Sequence, residues 1–297
     1  MNNTNKKPLQ GKIAVVAGST RGAGRGIAVM LGAAGATVYC TGRSVRGHRS
    51  DLDRPETIEE TAEMVTAHGG VGIPVRTDHT VEKEVKALFD RVNEEQEGVL
   101  DILVNDIWGG ESLTHWNTPF WEQPLQDALL MQERAVKTHL ITSYYGAPMM
   151  VERKQGLIIE ITDGETYNYR GNLYYSLAKI SPIHLAAAMA EELRPHHVTA
   201  LAVTPGFLRS EQMLEHFGVE EHNWRDAVQQ EPHYIESETP YFVGQGIAAL
   251  AADPNVFAKT GQVLTSWGLS DQYGFSDIDG RRPHWGNYAK KQGLSIN

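Results

Sequence analysis

The sequence is poor in cysteine and in long apolar runs. Its 297 residues include one cysteine, Cys40, so no disulfide can form within the chain. No stretch approaches the roughly 20 apolar residues that a membrane-spanning helix requires, and residues 1–10 lack the apolar core of a signal peptide. Because structural disulfides belong to oxidising compartments, these absences predict a cytoplasmic protein with no membrane partner.

Positive charge is also in short supply. The chain carries 27 Lys and Arg residues against 37 Asp and Glu residues, which gives a formal net charge of −10. A protein of this charge is repelled by a phosphate backbone. We therefore expect no nucleic-acid partner, although local basic groups and backbone N–H donors can still bind an anionic cofactor.

Two catalytic motifs are missing as well. The 12 histidines form no H-E-x-x-H pair and no tight ligand cluster, so no metal site is expected. The chain has no G-x-S-x-G sequence, which excludes the nucleophile elbow of an α/β hydrolase. Hydrolysis by either of these two routes is therefore not predicted.

Short apolar, β-branched runs alternate with helical patterns along the chain. Several runs are almost continuously apolar, which is typical of strands buried on both faces of a parallel sheet. The alternation predicts one α/β domain over residues 11–297, with a doubly wound, mostly parallel sheet between two layers of helices, after a flexible arm over residues 1–10. The predicted strands are Lys12–Gly18, Thr37–Gly42, Gly72–Asp78, Leu100–Asp106, Gly156–Thr162, Val198–Thr204 and Gln262–Ser266, and the predicted helices are Glu56–His68, Thr80–Glu95, Phe120–Glu152 and Tyr174–Leu193.

Three segments interrupt this alternation. Ser44–Arg54 is a basic, polar insertion after the second strand, Glu211–Thr239 follows the sixth strand, and Gly268–Asn297 is an aromatic and polar tail. Ligands of open α/β sheets bind outside the carboxyl ends of the strands. Since the first two segments follow strand ends directly, we expect them to shape the site, with a substrate-loop region at about residues 207–241.

A glycine-rich turn joins the first strand to the helix that follows it. It reads Gly18-Ser-Thr-Arg-Gly22-Ala-Gly24. Glycine allows a tight turn and a close approach of backbone to a pyrophosphate, and the N-terminus of a helix supplies N–H donors. The turn therefore predicts a dinucleotide site with contacts from Gly18, Thr20, Arg21, Gly22, Ala23 and Gly24.

The end of the second strand indicates which dinucleotide is bound. A carboxylate there would accept hydrogen bonds from a ribose 2′-hydroxyl and repel a 2′-phosphate. This chain has Arg43 and Ser44 instead, and Arg21 lies in the glycine-rich turn. Because guanidinium groups pair with phosphate bidentately, the residues favour NADP(H) over NAD(H).

Tyr175 and Lys179 form the candidate catalytic pair. Residues four apart project from the same face of a helix, and Tyr175-Ser-Leu-Ala-Lys179 lies in the predicted helix after the fifth strand. A neighbouring ammonium group stabilises phenolate, so we expect Lys179 to lower the tyrosine pKa from about 10. Tyr175 then becomes a usable proton donor and acceptor near neutral pH.

The G-x-x-x-G-x-G turn and the Y-x-x-x-K pair together resemble the short-chain dehydrogenase/reductase family. The resemblance extends over about residues 10–267. It implies a three-layer Rossmann-type fold and hydride transfer between NADP(H) and a small carbonyl or alcohol substrate. It further implies proton transfer by Tyr175, contacts from Lys179 to the nicotinamide ribose, and a homodimer or homotetramer built on the long helices.

The same resemblance assigns further cofactor contacts. Asp78 takes the position of the acid that binds the adenine amino group, and Asn105 that of the first Asn of the family's Asn-Asn-Ala-Gly segment. Pro205 and Gly206 match its Pro-Gly segment, and Ser210 takes the position of the Thr that holds the nicotinamide amide.

Two positions depart from the family pattern. The catalytic Ser lies about 13 residues before the Tyr, which gives Thr162, whereas alignment on the strand end gives Asp163. We favour Thr162, because it keeps a hydroxyl donor for the carbonyl oxygen. The family's Asn on the long helix falls at Ala135, and Glu133 or His139 could substitute for it or lie on the helix surface.

These departures leave an alternative function open, an NADP(H)-sensing regulator with impaired catalysis. The intact Tyr175–Lys179 pair favours the enzyme, because a sensor needs no activated phenol. Three tryptophans after the fourth strand, Trp108, Trp116 and Trp121, either line a substrate cleft or pack between the long helix and its loop.

Overall fold

The computed structural model describes residues 7–49 and 52–294 and contains one sheet of seven parallel strands. The strands are β1 (Ile13–Ala17), β2 (Thr37–Gly42), β3 (Val71–Arg76), β4 (Ile102–Asn105), β5 (Gly156–Ile161), β6 (Val198–Thr204) and β7 (Val263–Thr265). Their order is β3-β2-β1-β4-β5-β6-β7. This order confirms the predicted doubly wound sheet and places its topological switch point between β1 and β4, where open α/β sheets bind ligands.

Ten α-helices belong to the described part of the chain. They are α1 (Gly22–Ala33), α2 (Ile58–Ala67), α3 (Glu82–Glu95), α4 (Leu125–Gln132), α5 (Thr138–Arg153), α6 (Leu173–Leu193), α7 (Glu211–Phe217), α8 (Pro240–Ala252), α9 (Ser266–Tyr273) and α10 (Trp285–Gln292). Within residues 7–49 and 52–294, no helix is both long and apolar enough to span a membrane.

The alternation of side chains along β1 explains the three layers. Val16 belongs to the core on one face of the sheet, together with Ile27 of α1 and Val243 of α8. Val15 points to the other face, where it shares a core with Leu88 of α3 and other residues of α5 and α6. Successive residues of a strand point to opposite faces, so a fully apolar strand requires helices on both sides.

Several predicted boundaries differ from the structure. The predicted helix Phe120–Glu152 begins only at Leu125, and a π-helical turn, Glu133–Lys137, separates α4 from α5. Leu9, in the predicted flexible arm, is fully buried and its N–H donates to the Ala34 carbonyl, while residues 1–6 lie outside the described residues. A single leucine among polar residues does not predict burial, so this contact could not be predicted from the sequence.

Candidate active site

A cavity of about 830 Å³ opens at the carboxyl ends of the strands. It brings together most of the residues that the sequence singles out, namely Gly18, Thr20, Arg21, Gly22, Ala23, Arg43, Ser44, Asp78, Thr162, Asp163, Tyr175, Lys179, Pro205, Gly206 and Ser210. Gly24 and Asn105 do not line it. Gly24 lies behind the turn, and Asn105 is fully buried, where its amide donates to Ser143 and Glu160.

The glycine-rich turn is built by close backbone contacts. Gly18 has a φ of +87°, and a Cβ there would lie 2.3 Å from the carbonyl oxygen of Asp106. A Cβ at Gly24 would lie 2.3 Å from the carbonyl oxygen of Gly18. The Gly22 N–H donates to the Glu211 carboxylate at 2.8 Å, so the N-terminus of α1 already faces an anionic group, as its dipole favours.

The basic end of the cavity is formed by Arg21, Arg43 and Ser44 beside Asp78. Burial acts to raise the pKa of Asp78, but hydrogen bonds from Thr80 and the charge of Arg43 outweigh burial and lower it. The arginines of the insertion contribute less, because they do not line the cavity: Arg46 pairs with Glu63, and Arg49 pairs with Asp53.

Tyr175 is held in place by the start of α6 and by two tryptophans. The Asn172 side chain caps the helix by accepting the Tyr174 and Tyr175 N–H groups at 2.9 and 3.0 Å. The Tyr175 ring lies 5.6 Å from Trp108 and 5.1 Å from Trp116, centroid to centroid. Both tryptophans line the cavity, and they therefore form part of its wall.

The other tryptophans that line the cavity are not the ones expected from the sequence. Trp121 is 70% exposed and does not line the cavity. Trp267 and Trp285, at the end of the chain, do line it. No local sequence pattern indicates that the aromatic residues of the tail fold back to the site.

Asp163, and not Thr162, contacts the Tyr175 hydroxyl. The phenolic O–H donates to Asp163 Oδ2 at 2.7 Å. The Thr162 hydroxyl donates instead to the Lys179 backbone carbonyl at 2.5 Å. The favoured assignment of Thr162 as the hydroxyl donor therefore does not match the geometry, in which Thr162 supports α6 and a carboxylate stands beside the tyrosine.

The pKa of Tyr175 is also shifted against expectation. Burial and the neighbouring Asp163 carboxylate raise it well above its ordinary value, although Arg170 acts in the opposite direction. The net lowering expected from Lys179 does not occur, because burial and Asp163 dominate the shift; the Lys179 ammonium lies 3.9 Å from the Trp108 ring centroid and 5.8 Å from that of Tyr175. The phenol is therefore held as a neutral donor.

Arg170 fixes the loop that carries Asp163, and sequence reasoning missed it. Its side chain is buried and donates to three backbone carbonyls, those of Asp163 at 2.5 Å and of Thr166 and Asn168 at 2.8 Å. A single arginine in a polar loop carries no sequence pattern that would reveal this role.

His139 lies under the floor of the cavity, in a fully buried ion pair. Its Nδ1 lies 2.5 Å from Glu160 Oε2, and its Nε2 lies 3.0 Å from the Ile107 carbonyl oxygen. Burial alone would lower the His139 pKa, but Glu160 and the carbonyl outweigh burial and raise it. Of the two substitutes considered for the family's Asn, His139 is therefore a buried structural cation, whereas Glu133 forms a surface pair with Lys137.

Two buried carboxyl groups support the cavity wall. Burial raises the pKa of Asp106, which lines the cavity, to about 7. Burial likewise raises the pKa of Glu238 to about 8. Glu238 accepts hydrogen bonds from the Gly206 N–H at 2.9 Å and the Ser266 hydroxyl at 2.5 Å, and so anchors the Pro-Gly segment.

Comparison with known proteins identifies the family. A family model described as short chain dehydrogenase matches residues 12–218. The human protein named Dehydrogenase/reductase SDR family member 1 is 37% identical over 277 residues, which cover 92% of this chain and 85% of the relative.

Solved structures share the fold. A short chain dehydrogenase from Mycobacterium thermoresistibile superposes with a TM-score of 0.76 at 22% identity, over 97% of this chain and 95% of that chain. A 7α-hydroxysteroid dehydrogenase in complex with NADH and 7-oxo glycochenodeoxycholic acid gives a TM-score of 0.70 at 25% identity, over 89% and 96% of the two chains. The fold, the cavity and these relatives lead to one conclusion: the chain belongs to the short-chain dehydrogenase/reductase family.

Proposed function

We propose that the protein is an NADP(H)-dependent oxidoreductase that transfers hydride between the nicotinamide and a small carbonyl or alcohol substrate. One observation carries the proposal: Tyr175 and Lys179, on successive turns of α6, line the same cavity as the glycine-rich turn. A proton donor and a dinucleotide site thus share one space, which is what coupled hydride and proton transfer requires.

The residues present fit the proposed cofactor. The N-terminus of α1 binds a carboxylate through the Gly22 N–H, and an anion of the same kind, a pyrophosphate, suits that position. Arg21, Arg43 and Ser44 would hold the 2′-phosphate, and Pro205–Ser210 would border the nicotinamide. When bound, the cofactor supplies or accepts the hydride.

The chain itself handles the proton. Tyr175 Oη holds it as a neutral phenol, and Asp163 fixes the direction of that hydroxyl. Lys179 reaches the cavity beside Trp108, where its ammonium is available to the ribose hydroxyls of the cofactor. Trp108 and Trp116 pack on the Tyr175 ring and hold it in place.

We also propose that the protein is a cytoplasmic homodimer or homotetramer. The helices α4, α5 and α6 leave large apolar side chains exposed, and unpartnered apolar surface of this kind marks protein interfaces. These side chains are Leu125, Leu129, Leu140, Tyr144, Leu173 and Leu177. Sedimentation equilibrium of the purified protein measures the stoichiometry, and a monomer at micromolar concentration would contradict the proposal.

Hydride transfer can be tested directly with a labelled cofactor. We expect NADPH carrying deuterium at C4 of the nicotinamide to deliver that deuterium to the product alcohol in a panel of ketones and aldehydes. Mass spectrometry of the products measures the label. The proposal fails if NADPH binds but deuterium is transferred to none of the ketones and aldehydes.

The choice of cofactor is tested by Arg43→Ala. A charged hydrogen bond contributes about 1.5–3 kcal/mol, so we expect NADPH affinity to fall by about 10- to 100-fold and NADH affinity to change little. Quenching of tryptophan fluorescence measures both dissociation constants. Arg46→Ala is the matched control, because Arg46 lies three residues after Arg43, in the basic insertion, but does not line the cavity. Equal losses for the two cofactors would show that Arg43 does not contact the 2′-phosphate.

A further inference from the structure

The Tyr175 hydroxyl contacts a carboxylate. The threonine hydroxyls at the neighbouring strand ends do not contact it. Asp163 Oδ2 accepts the phenolic proton at 2.7 Å. The two nearby threonines donate to backbone carbonyls instead, Thr162 to Lys179 and Thr204 to Pro205. The reacting atom of a substrate at Tyr175 therefore meets an acceptor where a reductase acting on ketones would need a second donor.

Charges of both signs surround this point, but the group that contacts the phenol directly is a carboxylate. Glu111 lines the cavity and, with Asp163, opposes ionisation of Tyr175. The guanidinium that acts to lower the Tyr175 pKa belongs to Arg170, and each of its three nitrogens already donates to a backbone carbonyl of the 163–168 loop. The Lys179 ammonium rests on the face of Trp108.

These charges discriminate between classes of double bond. Reduction of a ketone builds negative charge on oxygen, and a carboxylate beside that oxygen opposes it. An iminium group begins with a positive charge and an N–H donor, both of which a carboxylate stabilises. Aromatic faces such as Trp116 attract cations as well.

We propose that the reacting group of the preferred substrate is a carbon–nitrogen double bond, bound as its iminium cation against Asp163 and reduced to an amine. The inference rests on the hydride transfer proposed above, but it places the hydride on the carbon of a C=N bond and not on a carbonyl carbon. The C=N π pair moves to nitrogen as a hydride from the reduced nicotinamide dinucleotide forms the new C–H bond, and the dinucleotide is oxidised. A neutral imine takes its nitrogen proton from Tyr175, which regains one from solvent.

Binding of a charged and a neutral isostere tests the charge preference without turnover. The probes are 1,2,3,4-tetrahydroisoquinoline, an ammonium ion at neutral pH, and isochroman, in which an ether oxygen replaces the ammonium. By calorimetry, with and without NADP⁺, we expect the ammonium to bind at least about tenfold more tightly, as expected for one charged hydrogen bond. Equal affinities would overturn the inference.

Two variants locate the effect. Asp163→Asn keeps the size of the side chain and removes its charge, and it should abolish the preference for the ammonium. Glu165→Gln is the matched control, because it removes a carboxylate two residues along the same loop that does not line the cavity, and it should retain the preference. A preference that survives in Asp163→Asn would contradict the assigned role of Asp163.

Turnover separates this inference from the proposed function. We expect NADPH to be oxidised faster with 3,4-dihydroisoquinoline than with 1-tetralone, and the order to reverse in Asp163→Ser, which supplies a hydroxyl donor. Reduction of the ketone alone by the wild-type protein would overturn the inference and leave the proposed function standing. Failure to bind NADPH would remove the proposed function, while the comparison of ammonium and ether still decides the charge preference.

Discussion

Replacing Tyr175 with phenylalanine is expected to lower kcat for the reduction of a carbonyl substrate by a factor of about 10² to 10⁴, the usual contribution of a positioned general acid. The substitution removes only the hydroxyl, which donates to Asp163, and leaves the ring between Trp108 and Trp116. NADPH affinity should therefore stay within about threefold, a change well below 1 kcal/mol. Steady-state oxidation of NADPH and fluorescence titration measure the two quantities.

Tyr174→Phe is the matched control for this experiment. Tyr174 is the preceding residue of the same helix, and its hydroxyl bonds weakly to the Phe120 carbonyl at 3.3 Å, away from Asp163. We expect almost unchanged kcat in this variant. Unchanged kcat in Tyr175→Phe would remove Tyr175 as the proton donor, and loss of turnover in both variants would indicate a structural cause.

Replacing His139 with leucine is expected to reduce the free energy of unfolding by about 3–5 kcal/mol, because it leaves the buried Glu160 charge without its cationic partner. Asn105 and Ser143 also contact Glu160, but they are neutral donors and cannot balance its charge. Chemical denaturation followed by circular dichroism measures the loss. Lys86→Ala, which breaks an exposed pair with Asp90, should cost less than about 1 kcal/mol.

The double variant His139→Leu/Glu160→Leu tests whether the loss comes from the unpaired charge. It should be more stable than His139→Leu alone, because no buried charge remains. The pH dependence gives a second test: the His139 pKa is raised in the folded protein, so its stabilisation is complete below the unfolded pKa of about 6.5 and is lost as the pH rises through the folded value. A double variant no more stable than the single one would contradict this explanation.

The sheet and the Tyr175–Lys179 pair could be predicted because each depends on local periodicity. A continuous apolar strand such as Ala14–Val16 indicates that both faces of the sheet are covered, and an i, i+4 spacing indicates that two side chains share a helix face. The glycine-rich turn was equally readable, because only glycine accommodates the contact between Gly18 and the backbone of Asp106.

The choice between Thr162 and Asp163 could not be predicted in the same way. Side chains alternate at the end of a strand, so a shift of one residue decides which of the two reaches the Tyr175 hydroxyl. Counting back from Tyr175 crosses an irregular loop whose path is fixed by Arg170. Trp285 is far from the rest of the site in sequence, so no local pattern predicts that it lines the cavity either.

The position of Lys179 was a different kind of error. The spacing placed its side chain on the correct face of α6, and from that we inferred an effect on the phenol. Trp108, from the loop after β4, attracts the ammonium to its own ring face. A pKa depends on neighbours from every packed element, so spacing along one helix did not determine its direction.

The π-helical turn between α4 and α5 has a consequence for how this fold can vary. Each residue of an α-helix advances the chain by about 100° around the axis, and a π turn accommodates one extra residue. The two helices therefore keep separate angular phases: His139 of α5 faces the sheet, while Met131 of α4 packs against Ala178 of α6. Deleting one residue of Glu133–Lys137 would rotate α4 by about 100° and withdraw Met131 from α6. Insertions or deletions in this turn can therefore change the orientation of α4 during evolution, while α5 keeps its packing on the sheet.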